Sequence, residues 1–351
     1  MRQAVIAILF AMTGLLGPLP SAVQAEEENE PTEIAEAAQV AAKPAKTHVK
    51  APPPVPAKQL FGAVTTPAPL AARAIGFYAR GCLAGARPLA VDGPAWQAMR
   101  LSRNRNWGHP ALIAWLERFA KEAKASDGWP GLLVGDISQP RGGPTLTGHA
   151  SHQVGLDADI WLTPMPDRRL TPREREEMSA VSMLASDRVS VDPALWDDTR
   201  AKIIKRAASA PEVDRIFVHP AIKKALCEAA PRLGTERAWL EKVRPYWGHH
   251  YHFHVRLHCP KDSPACKPQD PVPGGDGCGQ ELTDWLKRVA EPPKPSAKPA
   301  PPKPPITLAG LPAECRTVLE SGTAAAALPP PPVRAPSAPG TASFGNTVVK
   351  N

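Results

Sequence analysis

Proline sets the outer limits of what this chain can fold into. Of its 44 prolines, 8 fall in residues 26–70, 15 in residues 291–351 and 19 in the 220 positions between them, with Pro18 and Pro20 ahead of all three. A residue that fixes φ and lacks a backbone donor is poorly tolerated inside helices and sheets, and such density marks segments outside a packed core. The two ends therefore read as arms around one folded block. All nine tryptophans agree, lying between Trp96 and Trp285. A block of that size is a single domain, and a two-domain enzyme filling all 351 positions is excluded.

Residues 1–25 follow the order of a secretory signal. Arg2 precedes an apolar run from Val5 to Leu16, then Pro18 and Pro20 lead to Ala25, the expected cleavage point. Twelve apolar residues fall short of the roughly 20 that a membrane-spanning helix needs. No later stretch is long enough, so no integral membrane segment is expected after cleavage. Export also bears on the six cysteines, Cys82, Cys227, Cys259, Cys266, Cys278 and Cys315. An even count in an exported chain favours disulfides, with the pairing open. The absence of Cys-x-x-Cys argues against a zinc ribbon or a thioredoxin-like redox site. Net charge is +8, or +7 without Arg2. Export removes nucleic acid as a partner, and a basic exported protein suits a polyanionic envelope polymer. Simple solubility explains the charge equally well.

The arms differ in kind. Residues 26–70 open with Glu26, Glu27, Glu28 and Glu30 and pass through Ala-Lys-Pro text to Pro52-Pro53-Pro54, the composition of a semi-extended linker. Residues 291–321 form a proline-rich strap that carries Cys315, and residues 322–351 read as a disordered tail. Between them, residues 71–290 alternate in pattern. Apolar residues at helical spacing predict a helix over 110–125, and a short apolar run predicts a strand over 132–138. Leu156, Ala158, Ile160 and Leu162 alternate with Asp157, Asp159 and Trp161, the period of a strand with one buried face. Thr171-Pro172-x-Glu174 begins a capped helix, and further helices are expected over 192–208 and from Pro220. Strands are expected at 215–218 and 251–258. With no strict βαβ order, the pattern predicts an α+β fold: a mostly antiparallel central sheet flanked by helices, held by disulfides.

The chemistry is concentrated in two segments, 148–159 and 247–255. Five of the ten histidines fall within residues 249–258. On a strand, alternate residues share a face, so His252 and His254 point one way while Phe253 and Val255 pack behind them. His152 and Asp159, seven residues apart, can bring a loop nitrogen and a strand carboxylate to the same place. Asp157 is the adjacent candidate. Two imidazoles, one carboxylate and an open water position describe a catalytic zinc site, whereas structural sites are usually closed. Isolated histidines are most often hydrogen-bonded structural residues, and His48, His109 and His219 take that reading.

These residues resemble the signature of the LAS metallopeptidases, which include lysostaphin-type enzymes, D-Ala-D-Ala carboxypeptidases and hedgehog-like domains. The surrounding text is similar to the branch of penicillin-insensitive murein endopeptidases of Gram-negative periplasms. The similarity runs through Gly148-His149-x-x-His152-Gln153-x-Gly155-Leu156-Asp157-x-Asp159-Ile160, Arg215-Ile216-Phe217-Val218-x-Pro220-Ala221-Ile222-Lys223 and Lys242-Val243-Arg244-Pro245. It continues through His252-x-His254-Val255-Arg256-Leu257-x-Cys259-Pro260 and Gly275-Asp276-Gly277-Cys278-Gly279, spanning roughly residues 82–315.

The resemblance implies a LAS-like fold and zinc held by His152, Asp159 and His254, with His149 as a further residue of the metal neighbourhood. It implies that His252 and His249 assist catalysis; His252 is the candidate general base and His249 the candidate oxyanion stabiliser or proton donor to the leaving amine, a division that the sequence leaves open. It implies the bridges Cys82–Cys315, Cys227–Cys278 and Cys259–Cys266. The implied reaction is hydrolysis of the D-alanyl–meso-diaminopimelyl cross-link of peptidoglycan in the periplasm. No Ser-x-x-Lys stands in a penicillin-binding-protein context, so insensitivity to β-lactams is expected. The chain departs from the family at Asp187-Arg188-Val189-Ser190, where serine replaces the histidine of a proposed second metal pair, so one zinc per chain is expected. The competing readings are a zinc D,D-carboxypeptidase releasing terminal D-alanine and a non-catalytic envelope-binding zinc protein.

Overall fold

The structure, a computed structural model, describes residues 54–291 and 304–322. The expected signal, most of the linker, His48 and the tail beyond Gly322 lie outside the described residues. In chain order the elements begin with α1 (Ala57–Gly62), β1 (Arg73–Phe77), β2 (Arg80–Ala84), β3 (Arg87–Pro88), β4 (Trp96–Ala98), β5 (Trp107–Gly108), α2 (Pro110–Ser126) and β6 (Leu132–Val134). They continue with β7 (Asp157–Trp161), α3 (Pro172–Glu177), α4 (Asp198–Ser209), β8 (Val213–Val218) and α5 (Pro220–Ala229). Then come α6 (Trp239–Lys242), β9 (Val243–Pro245), β10 (His252–Leu257), α7 (Gln280–Ala290) and α8 (Glu314–Glu320). The class is α+β, with eight α-helices among the described residues.

Six strands make the main sheet in the order β4-β6-β7-β10-β8-β9. The sheet is mixed, which corrects the expectation of a mostly antiparallel one. Its centre is antiparallel, β7 to β10 and β10 to β8, but the edge pairs β4–β6 and β8–β9 are parallel. Parallel neighbours need a long crossover, usually helical. Here α2 lies between β4 and β6, and α5 with α6 lies between β8 and β9. Alternation along a single segment says nothing about which neighbour the strand will choose.

One face of the sheet is apolar. Ala158, Ile160, Phe253, Val255, Ile216 and Val218 are fully buried and belong to one cluster with residues of α2, α4 and α5. Along α2, Leu112, Trp115, Leu116 and Phe119 turn inward at helical spacing. Trp115 stacks on Phe119 at 4.8 Å, and Phe119 meets Phe253 edge-on at 6.5 Å. Burying each such side chain contributes about 1.5–3 kcal/mol, and the Phe119–Phe253 contact fixes β10 from behind. Contrary to the one-face expectation, every residue of β7 is buried, because its polar face is covered by the site described below.

Local chemistry sets the helix ends. His109 and His219 each precede a proline and accept the backbone N–H of Ala111 and Ala221 at Nδ1, both at 3.2 Å, which makes them caps. Thr171 and Glu174 close a full capping box at α3. The helix expected from 192 starts at Asp198, because Asp197 caps Arg200 N at 2.9 Å.

The cysteines form Cys82–Cys315, Cys227–Cys278 and Cys259–Cys266, the pairing that the resemblance implies. The first fastens α8 to β2. Residues 54–70 differ from the linker that their composition suggests. They carry α1, bury Phe61 and bond to the strap through Ala57 N to Ile306 O at 2.8 Å. Phe61, Ile75, Leu311 and Val318 make a second small core around the bridge. No helix among the described residues is long and apolar enough to cross a membrane.

Candidate metal centre

The face of β7 and β10 opposite the apolar core gathers the polar residues. The register pairs His254 with Asp159, Arg256 with Asp157, and His252 with Trp161. Because alternate residues share a face, Asp157, Asp159, His252, His254 and Arg256 all point to one side. The loop before β7 supplies His149 and His152. It folds tightly against β2: at Gly155, with φ +69°, a Cβ would lie 2.4 Å from Leu83 Cδ2 and 2.8 Å from His109 N. His152 itself is left-handed at φ +65°, a conformation that costs a non-glycine residue about 1–3 kcal/mol. Two bonds hold it there: its N–H donates to Asp157 Oδ2 at 3.0 Å, and its Nδ1 donates to Ile137 O at 2.6 Å. A carbonyl accepts only, so Nδ1 carries the proton and Nε2 is left for the site.

Around Asp159 the imidazoles converge. His149 Nε2 is 3.1 Å from Oδ2, His254 Nδ1 is 3.1 Å from Oδ1, and His152 Nε2 and His252 Nε2 are 3.4 and 3.5 Å from Oδ1. Ligand atoms of His149, His152 and Asp159 lie within 4.8 Å of one another. Several of these buried atoms have no hydrogen-bond partner: His152 Nε2, Asp159 Oδ1 and both nitrogens of His252. Buried polar atoms are normally satisfied, so a convergent group of unpaired nitrogens and a carboxylate oxygen fits a divalent cation. The expected residues are thus brought together: His152, Asp159, His254 and His149 at the centre, His252 against it. His249 lies one layer out, its ring 4.9 Å from that of His252, with Nδ1 2.6 Å from Trp247 O.

Electrostatics follow from the crowding. Burial opposes ionisation of Asp159, but His252 and His152 outweigh it and hold the carboxyl well below its usual range. Burial also works against a charged His152, yet Asp159, Asp157 and Asp136 raise it to about 9. Burial, with His254 and other imidazoles adjoining, lowers His252 to about 4, and burial with His254 and His252 lowers His249 to about 3.

Three supporting residues were invisible as such in the sequence. Asp157 lies behind His254, Oδ1 3.1 Å from its Nε2, and is itself held by Arg256 Nε at 2.8 Å. It orients the imidazole, the usual work of a carboxylate behind a ligand. Arg256 in turn sits 4.1 Å above the Tyr78 ring. Asp136, buried and bound by Arg105 at 2.8 Å, approaches His149 Nε2 at 3.6 Å. Only the Asp-x-Asp spacing hinted at the first, and no local pattern marks Asp136.

Two cavities flank the cluster, and His149 lines both. One, about 350 Å³, has aromatic walls from Phe77, Phe217 and Tyr246 and reaches His249 and His254. The other, about 300 Å³, is lined by Arg100, Arg103, Asp136, Asp159, Trp161 and Tyr251. A larger cavity, about 670 Å³, opens between α2 and α4 on the other face of the sheet; it contains ion pairs such as Arg118–Glu212 and none of the site residues. At the position of the doubtful second metal pair, Ser190 Oγ donates to Asp187 Oδ2 at 2.7 Å and Ser190 N to Oδ1 at 2.9 Å. The serine thus satisfies both oxygens of the Asp187 carboxylate.

Comparison with known proteins agrees with this constellation. The family model described as penicillin-insensitive murein endopeptidase matches residues 74–320. The chain is 48% identical over 231 residues to the penicillin-insensitive murein endopeptidase of Haemophilus influenzae, covering 65% of this chain and 77% of that one. It is 43% identical over 272 residues to that of Yersinia enterocolitica, covering 78% and 94%. It is 42% identical over 257 residues to that of Klebsiella pneumoniae, covering 73% and 89%. With its sheet, its bridges and its histidine cluster inside the matched region, the chain belongs to the penicillin-insensitive murein endopeptidase family of peptidases.

Proposed function

We propose that the chain is an exported, zinc-dependent murein endopeptidase that hydrolyses the D-alanyl–meso-diaminopimelyl cross-link of peptidoglycan in the periplasm and is insensitive to β-lactams. The observation that carries this reading is the convergence of unpaired, buried His152 Nε2 and Asp159 Oδ1, joined by His254, between two open cavities. His152, Asp159 and His254 would hold one zinc, with His149 beside them. Zinc bound there supplies Lewis-acid polarisation and lowers the pKa of a water towards about 7.

The chain's own residues do the rest. Ile137 O and Asp157 fix the rings of His152 and His254, so the donor set is organised before substrate arrives. His252, buried and unpartnered at both nitrogens, is the general base: Nε2 takes the proton of the attacking water. His249 lines the cavity beside His252; with its Nδ1 proton donated to Trp247 O it is neutral at rest, and it stabilises the oxyanion or protonates the leaving amine once the proton taken from the attacking water reaches its Nε2. The aromatic walls of Phe77, Phe217 and Tyr246 seat part of the peptide stem.

Digestion of purified cross-linked muropeptide dimers tests the reading. The expected result is conversion of dimers to monomers, unaffected by penicillin, abolished by chelator and restored by zinc. Release of free alanine alone would make the enzyme a carboxypeptidase. Sacculus binding with an unchanged muropeptide profile would make it non-catalytic.

A further inference from the structure

The second cavity contains two arginines that the hydrolytic machinery does not use. Arg100 and Arg103 lie in a five-residue segment with left-handed non-glycine residues at both ends, Arg100 at φ +56° and Asn104 at φ +50°. Strain of this kind persists only where the surroundings impose it, and it clusters at ligand sites. Here the anchors are plain. Arg100 N donates to Arg175 O at 3.1 Å and Arg100 Nη2 to Met178 O at 2.7 Å, while Glu176 accepts both Ser102 N and Ser102 Oγ at 2.8 Å. The Arg100 guanidinium rests 5.5 Å from the Trp161 ring.

Arg103 reaches the edge of the cluster. Its Nη1 lies 3.1 Å from Asp136 Oδ2, the same oxygen that is 3.6 Å from His149 Nε2. Arg105, buried at 2.8 Å, already engages that carboxylate, and the Arg103 side chain remains 46% exposed. The acidic groups near the arginines, Asp136 and Glu176, are therefore bound elsewhere as well, and both arginines line the cavity. Planar guanidinium groups match carboxylates in geometry and charge.

We propose that Arg100 and Arg103 form a specificity subsite that binds a carboxylate on the carbon bearing the leaving nitrogen of the cleaved bond. The proposal rests on the endopeptidase reading and adds the group that the enzyme recognises. In the cross-link that carbon belongs to diaminopimelate; in an uncross-linked stem it belongs to terminal D-alanine. A lysine cross-link has no carboxylate there.

The test compares wild-type full-length protein on a cross-linked dimer whose diaminopimelyl carboxylate is free with the same dimer converted to the carboxamide. Loss of a charged hydrogen-bond partner lowers kcat/KM by about 10- to 100-fold, so wild type favours the free acid by that ratio. Arg103→Gln and Arg100→Gln bring the ratio towards one without changing metal content, and Arg103→Lys retains part of it. A merely structural role would depress both substrates alike and leave the ratio intact, which overturns the subsite. Equal cleavage of both dimers by wild type overturns the subsite while the endopeptidase reading stands, whereas cleavage of neither overturns both. The same comparison on a stem ending in D-alanine, free or amidated, assigns the source. Discrimination confined to the dimer names diaminopimelate, and discrimination confined to the stem names alanine.

Discussion

Asp159 and His254 are partners in the antiparallel register of β7 and β10, and their side chains meet with His254 Nδ1 3.1 Å from Asp159 Oδ1. A single non-hydrogen-bonded rung of the sheet, the kind in which facing side chains stand closest, thus carries two of the three proposed ligands. A one-residue slip of β10 against β7 would turn His254 to the apolar face and leave Asp159 without it.

His254→Ala is expected to remove both metal and activity, because it deletes a ligand nitrogen. His252→Ala is expected to keep most of the metal while lowering kcat by about 10²- to 10⁴-fold, the usual contribution of a general base. Metal content measured beside turnover of muropeptide dimers separates the two. Equal metal loss in both variants would make His252 a ligand.

One metal per chain is expected, since Ser190 satisfies Asp187 where a second ion would need a histidine. Elemental analysis of purified protein checks this, and two tightly held ions per chain would contradict it.

Arg256→Met is expected to destabilise the fold by about 3–5 kcal/mol, because it leaves the fully buried Asp157 carboxylate without its guanidinium. The same change removes the stacking on Tyr78. Urea unfolding of the reoxidised protein reads the loss, and a change under about 1 kcal/mol would mean that Asp157 is held mainly by His152 N–H and His254.

Lys223 makes stability depend on alkaline pH. Burial, with Arg244 adjoining, lowers its ammonium from 10.5 to about 7, against smaller opposing effects of Asp276 and Glu281. Its Nζ donates to Leu240 O at 2.8 Å and Asp276 O at 2.6 Å, two bonds that the neutral amine retains. Between pH 7 and 10.5 the unfolded chain binds the proton that the folded chain has lost, so stability rises with pH across that window. Relative to Lys223→Met, wild type should gain up to about 1.4 kcal/mol per pH unit there. Urea midpoints at several pH values for both proteins check it, and parallel curves would show that the lysine stays charged.

Removing the Cys82–Cys315 bridge, which joins residues 233 apart in sequence, is expected to cost about 2–5 kcal/mol. The Cys82→Ala/Cys315→Ala variant should show a lower unfolding temperature. It should also release residues 304–322 to protease earlier than wild type does.

The sequence by itself determined what depends on local chemistry. Proline density bounded the core, helical spacing from Leu112 to Phe119 made α2, and Thr171 with Glu174 made the cap of α3. The two-residue period placed His252 and His254 on one face, and seven residues between His152 and Asp159 allowed a loop nitrogen to meet a strand carboxylate. Motif text then added the bridges. Tertiary structure alone decided what depends on which strands become neighbours. It made the edges of the sheet parallel, because helical crossovers return β6 and β9 in the direction of the strands they join. It packed α1 onto the strap although its composition resembles a linker, because Phe61 buries in an apolar cluster that Ile75, Leu311, Cys315 and Val318 assemble from distant segments. It also set Asp136, Arg103 and Arg100 around one cavity with His149, from segments with no spacing relation to the histidines. Periodicity fixes the face on which a side chain stands, whereas its partner across space is fixed by register and packing.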